Sequence, residues 1–463
     1  MARKINLIFR VTLVLVAAAC IPGAGARVSR ASDAVVLEVE ADTPVVRLQG
    51  RQRVVVRALV RPGAVEKRRI PLAVALVLDR SGSMSSDGKM ENARLGAMEA
   101  LKMLGDRDVA TVVAYDTSAS VVVPAHPASD KTAFSGAISR LRPEGSTALY
   151  DGVRVGADQL RPFMKEGYIP RVILLSDGIA NVGPSSTHEL ATFGRALAER
   201  GVTITTIGLG LDYNEDLMTV LAAESGGNAY FARHAKTLPE IFARDMEDAV
   251  TLTARKVRVT LNCGDGIRPI GAVGRSALPE KDGSEEKSVE ISIDNLYGTE
   301  KYALFEIEVF GIRPIDPAPF FDAATIKLEY LDPATDSVIV REAPLRLALT
   351  KDDREVEKNR RADIVAQTEI ARNAEIREEV VRLSDEGRIA EAALILQDRT
   401  DALRKIAPAQ GMPAPQFEAE ARKFESMQEE LQSFGFSSET RKETLNQAYI
   451  QKNQQAAISD DEE

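Results

Sequence analysis

The chain has 463 residues, 44% hydrophobic and 28% charged, a folded-protein composition with material for two to four domains at roughly 100–200 residues each. A net charge of −10 argues against a general nucleic-acid binder, because nothing neutralises phosphates broadly. Two cysteines exclude a disulfide framework, and His126, His188 and His234 are too scattered for a zinc site, so metal chemistry must come from oxygen ligands.

Arg3, Lys4 and Arg10 precede an apolar run from Val11 to Ala19, broken by Pro22, with Ala24-Gly25-Ala26 as a small-x-small cleavage site. The run is too short to span a membrane, so residues 1–26 are expected to be a secretory signal peptide and the chain to be exported, periplasmic or extracellular. An alternative route makes Cys20, after Val16-Ala17-Ala18-Ala19, a lipid anchor. Cleavage after Ala26 takes the net charge from −10 to −13. No later segment predicts a transmembrane span.

Residues 33–69 alternate (Val35, Leu37, Val39; Val54, Val56, Ala58, Val60), as half-buried strands do. Residues 70–253 carry near-continuous apolar runs, Leu72 to Leu78, Val109 to Val113, Val172 to Leu175 and Val202 to Ile207, separated by helices such as Met90–Leu104 and His188–Arg200. Such runs suit parallel strands buried on both faces, and predict a doubly wound, mostly parallel α/β domain. Period two returns over 254–350, at Val257, Val259, Leu261, then Val289, Ile291, Ile293, then Phe305, Ile307, Val309, then Ile326, Leu328, Tyr330. The economical fold is one antiparallel β-sandwich, split in sequence by the inserted α/β domain.

Residues 351–459 are charged and helical. Ile376, Val380 and Leu383 share one helix face, Gly387 breaks that helix, and Ile389, Ala392, Ala393 and Leu396 begin another. Pro408, Gly411, Pro413 and Pro415 mark a linker. Phe417, Ala421, Phe424 and Leu431 then form a stripe, read as packing on a neighbouring helix or, alternatively, as an interaction surface of the helical tail. Residues 460–463 are an acidic tail, expected to be solvated and frayed.

The chemistry concentrates in three segments. Leu72–Leu78 runs into Asp79-Arg80-Ser81-Gly82-Ser83, placing one carboxylate and two hydroxyls on the turn at the carboxyl edge of the sheet, where ligands bind in this class of fold. Gly145-Ser146-Thr147 precedes a helix, and Leu174-Leu175-Ser176-Asp177-Gly178 is another buried strand ending in a carboxylate. Singly, Asp79, Asp177 or Thr147 has an ordinary reading as a strand-end turn residue or helix cap. Together on one edge they offer hard oxygens suited to Mg²⁺, with Mn²⁺ or Ca²⁺ as alternatives.

Enzyme signatures are weak. Ser81 stands where a haloacid-dehalogenase-like phosphatase needs a second acid, and Ser85 where a Gly-x-Ser-x-Gly hydrolase needs glycine. No Gly-x-x-x-x-Gly-Lys-Ser/Thr loop occurs, and Cys263 has no histidine within its β region.

The segment 70–250 resembles the von Willebrand factor type A (VWA) family. Asp79, Ser81, Ser83, Thr147 and Asp177 match all five positions of its metal-ion-dependent adhesion site (MIDAS). Supporting stretches are Arg171-Val172-Ile173-Leu174-Leu175-Ser176-Asp177-Gly178 and Ile207–Asp216, in which Asp212 and Asn214 are expected to cap the following helix. The wider chain is similar to bacterial secreted members and to inter-alpha-trypsin inhibitor heavy chains. The resemblance implies that Ser81, Ser83 and Thr147 ligate a cation directly, while Asp79 and Asp177 act largely through waters. An open position on that cation would take a Glu or Asp carboxylate of a protein partner. It implies adhesion and not catalysis. The competing class is a structural envelope protein whose metal only stabilises the fold. A chloride-channel role, which some relatives carry as a label, is rejected for want of a span. In the related integrin domains a sliding last helix signals ligand state. Leu238, Ile241, Phe242, Met246 and Val250 form the corresponding face here, feeding into the strand at Val257, with a rigid joint as the alternative.

Overall fold

The computed structural model describes residues 26–28, 34–63, 69–164, 166–278, 287–312, 320–406, 408–409 and 411–455. The expected leader up to residue 25, Cys20 and the acidic tail 460–463 lie outside the described residues. The chain opens with β1 (Ala26–Val28), β2 (Val35–Ala41), β3 (Val45–Arg47) and β4 (Gln52–Pro62). The next stretch comprises β5 (Leu72–Asp79), α1 (Lys89–Met103), β6 (Val109–Tyr115), β7 (Ala119–Pro127), α2 (Lys131–Ile138), α3 (Leu149–Met164), β8 (Ile169–Ser176), α4 (Thr187–Glu199), β9 (Thr203–Leu209), α5 (Glu215–Ser225), β10 (Ala229–Ala232) and α6 (Leu238–Val250). Six strands follow: β11 (Ala254–Cys263), β12 (Ile267–Val273), β13 (Ser288–Leu296), β14 (Lys301–Val309), β15 (Phe320–Leu331) and β16 (Val338–Thr350). Helices α7 (Asp353–Lys358), α8 (Ala362–Asp385), α9 (Ile389–Ile406), α10 (Ala414–Phe434) and α11 (Ser438–Asn453) complete the chain.

The middle stretch forms a six-stranded sheet in the order β10-β9-β8-β5-β6-β7. All pairings are parallel except β6 with the edge strand β7. Every residue of β5, β6, β8 and β9 is buried, as near-continuous apolar runs demand of strands covered on both faces. The flanking strands build two five-stranded sheets, β1-β2-β4-β14-β12 and β13-β11-β15-β16-β3. Their inner faces share one core, in which Leu37, Val54 and Val56 from before the insert meet Val259, Phe305 and Ile326 from after it. The fold class expected from the sequence is borne out. Two details were not foreseen: β3 joins β16 in parallel, and β7 closes the central sheet antiparallel.

The stripe on α10 is consumed by packing. Phe417, Ala421 and Phe424 are fully shielded and Leu431 nearly so, against Val380, Leu383 and Leu396 of α8 and α9. Pro415, expected in the linker, sits in the first turn of α10, where a missing N–H costs nothing. The fully buried Arg377 stacks over Phe424, 4.6 Å from its ring centre, and donates to Glu420 at 2.7 Å and Gln451 at 2.8 Å. Helix α11 returns to the α/β domain: Lys442 donates to the Tyr213 carbonyl at 2.7 Å and pairs with Glu215, and Tyr449 donates to the Gly227 carbonyl at 2.9 Å. Among the described residues no helix is long and apolar enough to cross a membrane.

Candidate metal centre

Strand β5 is central, with α1 leading to β6 on one side and β8 pairing on the other. This strand-order reversal opens a crevice at the carboxyl ends of β5 and β8. Asp79 ends β5 and Ser176 ends β8, so Asp79 and Asp177 emerge side by side. Both carboxylates are wholly shielded from solvent. Asp79 accepts from the Ser81 amide at 2.8 Å through Oδ1 and from the Ser176 hydroxyl at 2.9 Å through Oδ2. A one-turn 3-10 helix, Gly82–Ser85, then reverses the chain and buries Met84 beneath it.

The hydroxyls converge on the same point. Ser81 Oγ and Ser83 Oγ are 3.0 Å apart, and Ser83 donates to Asp177 Oδ1 at 2.6 Å. A Cβ at Gly178 would stand 3.3 Å from Thr147 Oγ1 and 3.6 Å from Ser83 Oγ, so this glycine keeps the space between two hydroxyls clear. Ser83 is exposed while Ser81 and Thr147 are buried, which gives the cluster one solvent-facing side. All five residues singled out in the sequence are thus brought together.

Backbone bonds hold the loops in register. The Gly82 amide donates to Gly145 O at 3.1 Å, the Glu144 amide to Arg80 O at 2.6 Å, and the Thr147 amide to Asn181 Oδ1 at 2.9 Å. Gly145 has φ +75°, and a Cβ there would stand 2.8 Å from Thr117 Oγ1. Gly145→Ala is therefore expected to cost about 1–3 kcal/mol, read as a lowered urea midpoint, with the Thr147 loop displaced.

Burial pushes the Asp79 carboxyl up to about 6, against the bonds from Ser81, and the neighbouring Asp177 charge adds to the rise. Sequence reasoning missed the counter-charge. Lys89, 7% exposed, places Nζ 2.8 Å from Asp177 Oδ2. A lysine in the first turn of a helix opposes the macrodipole, and that oddity was the available signal. Tyr115, whose hydroxyl donates to Leu175 O at 2.8 Å, and Ser176 were also missed, since only the pairing of β5 with its neighbours reveals them.

Two crowded carboxylates with one lysine, bonded to Asp177 alone, leave negative charge under-compensated in a shielded site, and three hydroxyls adjoin it. This donor set fits a hard divalent cation. Among the described residues no group of three or more His, Cys, Asp and Glu could by itself hold a metal ion, so a cation here would also need the hydroxyls. Asn214 caps α5, accepting from the Leu217 amide at 3.1 Å. Burial pushes the Cys263 thiol up to about 12, which keeps it out of the reactive thiolate form.

Residues 73–244 match the model of the von Willebrand factor type A domain, and the chain contains a domain of that class, which typically mediates protein–protein interaction or adhesion. Over 182 residues the chain is 30% identical to "Uncharacterized protein sll0103" of Synechocystis sp., covering 38% of this chain and 42% of that protein. It is 26% identical over 171 residues to inter-alpha-trypsin inhibitor heavy chain H4 of Homo sapiens, covering 35% and 18%. The match thus spans less than half of either relative. The whole architecture is similar to that of a von Willebrand factor type A protein from Catenulispora acidiphila, with a TM-score of 0.64 over 93% of this chain and 100% of that one at 16% identity. The ArnB paralog VWA2 from Sulfolobus acidocaldarius gives 0.56 over 91% and 98%, at 15% identity. At these identities the likeness concerns the fold alone.

Proposed function

We propose that this chain is an exported protein-binding module that holds Mg²⁺ through Asp79, Ser81, Ser83, Thr147 and Asp177. The bound ion would dock a Glu or Asp carboxylate of a protein partner. The observation that carries this reading is the convergence of Ser81, Ser83 and Asp177 oxygens, with Thr147 Oγ1 facing Ser83, from three separate loops. Neutral hydroxyl ligands leave the ion most of its charge, so its solvent-facing position favours an anionic oxygen. Ile179 (60% exposed) and Leu211 (41% exposed) lie on neighbouring loops of the same sheet edge and supply apolar area around the ion.

The test is affinity capture from a cell-envelope extract in Mg²⁺ against EDTA. The proposal expects specific partners only in Mg²⁺ and none with Asp79→Ala. Partners unchanged by chelation, with only a lowered melting temperature in Asp79→Ala, would support a purely structural metal instead. Lys89→Met removes a positive charge beside Asp177 and is expected to tighten Mg²⁺ binding about tenfold, measured by calorimetric titration.

A further inference from the structure

Arg80 stands between Asp79 and Ser81 in the chain, and its side chain reaches two other carboxylates. Nη2 lies 2.5 Å from Asp116 Oδ2, and Nη1 lies 2.9 Å from Glu144 Oε1. One guanidinium thus joins three segments: the loop after β5, the turn after β6, and the loop that delivers Thr147. The two pairs are unequal. The Glu144 side chain is 62% exposed, so its pair is screened by solvent, whereas the Asp116 side chain is only 10% exposed.

Asp116 matters for what else it holds. Its Oδ1 accepts from the Ser118 amide at 3.1 Å, which shapes the turn between β6 and β7. Its main-chain carbonyl accepts from the Ala148 amide at 2.7 Å, and the adjoining Thr117 Oγ1 accepts from the Ser146 amide at 3.1 Å. Ser146 and Ala148 are the two chain neighbours of Thr147. The turn therefore grips Thr147 from both sides, and Arg80 grips the turn. None of Arg142, Pro143, Glu144, Gly145 and Ser146 is buried. Polar bonds, not apolar packing, set where this loop places Thr147.

We propose that Arg80 is a positioning residue that fixes the Thr147 hydroxyl through Asp116, and so sets the preference of the site for Mg²⁺ over Ca²⁺. This rests on the reading of the five oxygen-bearing residues as a cation site. Mg²⁺ demands near-ideal octahedral oxygens at about 2.0–2.1 Å, whereas Ca²⁺ accepts flexible shells at about 2.3–2.6 Å. A hydroxyl held in one place suits the smaller and stricter ion. A hydroxyl free to drift by a fraction of an ångström suits the larger one.

The test is calorimetric titration of the full chain with Mg²⁺ and, separately, with Ca²⁺ at matched ionic strength. The ratio of the two affinities is the readout. Removing a charge near the site acts on both divalent ions alike, so the ratio separates position from electrostatics. Arg80→Met is expected to lower the Mg²⁺ to Ca²⁺ ratio about tenfold. Asp116→Asn should lower it similarly, although it changes the local charge in the opposite direction. The double variant leaves no buried charge of this pair unpaired, and should lower the ratio no further than either single change, because both break one contact. Glu144→Gln, which weakens only the exposed pair, should leave the ratio within about twofold of the parent. Unchanged ratios in folded Arg80→Met and in the double variant would overturn the proposal, and so would additive losses in the double variant. A parent chain that binds neither ion would remove the cation site itself, and the proposal with it.

Discussion

Arg171→Ala is expected to destabilise the protein by about 3–5 kcal/mol, the range for stripping one partner from a buried ion pair. Arg171, 2% exposed on β8, donates to the main-chain carbonyl of Asp245 at 2.7 Å and stands 3.2 Å from its Oδ2. Its Nη2 donates to Tyr297 of the sandwich at 2.8 Å. Asp245, fully buried on α6, also accepts from Thr205 Oγ1 at 2.7 Å and Asn228 at 3.1 Å. Removing the arginine leaves those neutral donors facing an uncompensated charge. Urea denaturation should show the loss, and Arg171→Met combined with Asp245→Asn should recover at least half of it, since no orphan charge remains. A loss under about 1 kcal/mol would mean that the pair is a minor contributor.

The same pair bears on signalling. A sliding α6, as the integrin resemblance implies, would have to withdraw Asp245 from Arg171, Thr205 and Asn228 together. The structure therefore favours a rigid joint between α6 and β11, separated by only Thr251, Leu252 and Thr253. Amide hydrogen exchange in α6 is expected to be unchanged by Mg²⁺, and faster exchange there on adding the ion would restore the sliding helix.

Asp177→Ala is the second large effect, and it should act twice. It strands the Lys89 ammonium, 7% exposed, and so costs about 3–5 kcal/mol in unfolding experiments. It also removes one of two carboxylates from the proposed ion and should weaken Mg²⁺ binding at least about a hundredfold. Asp177→Asn separates the effects: the amide keeps one acceptor oxygen, for either Ser83 or Lys89, so stability falls less than in Asp177→Ala while affinity still collapses. Matching losses of affinity and stability in both variants would mean that Asp177 acts only through the fold.

The sequence made the central sheet legible because β5, β6, β8 and β9 are buried on both faces, which leaves an apolar run with no alternative reading. The split sandwich was legible for the complementary reason: Val54, Val56, Ala58 and Val60 alternate with Arg53, Arg57 and Arg61 on the opposite face of β4. β3 was not, because three residues are too few to show a period and its pairing to β16 is settled about 300 residues away. The five oxygen-bearing side chains stood out by type and by their place at strand ends. Ser176 did not, since its contact with Asp79 across two strands leaves no local pattern, and Lys89 left only its odd place in the first turn of α1.

The central claim is that Asp79, Ser81, Ser83, Thr147 and Asp177 make one cation site. Titration with Mn²⁺, followed by electron paramagnetic resonance of the free ion, tests it most directly. The account predicts a single saturable site per chain, competed by Mg²⁺ and lost in Asp79→Ala and in the double variant Ser81→Ala, Ser83→Ala, while circular dichroism shows both variants folded. Unchanged Mn²⁺ stoichiometry and affinity in those folded variants, or no saturable binding by the parent chain, would contradict it.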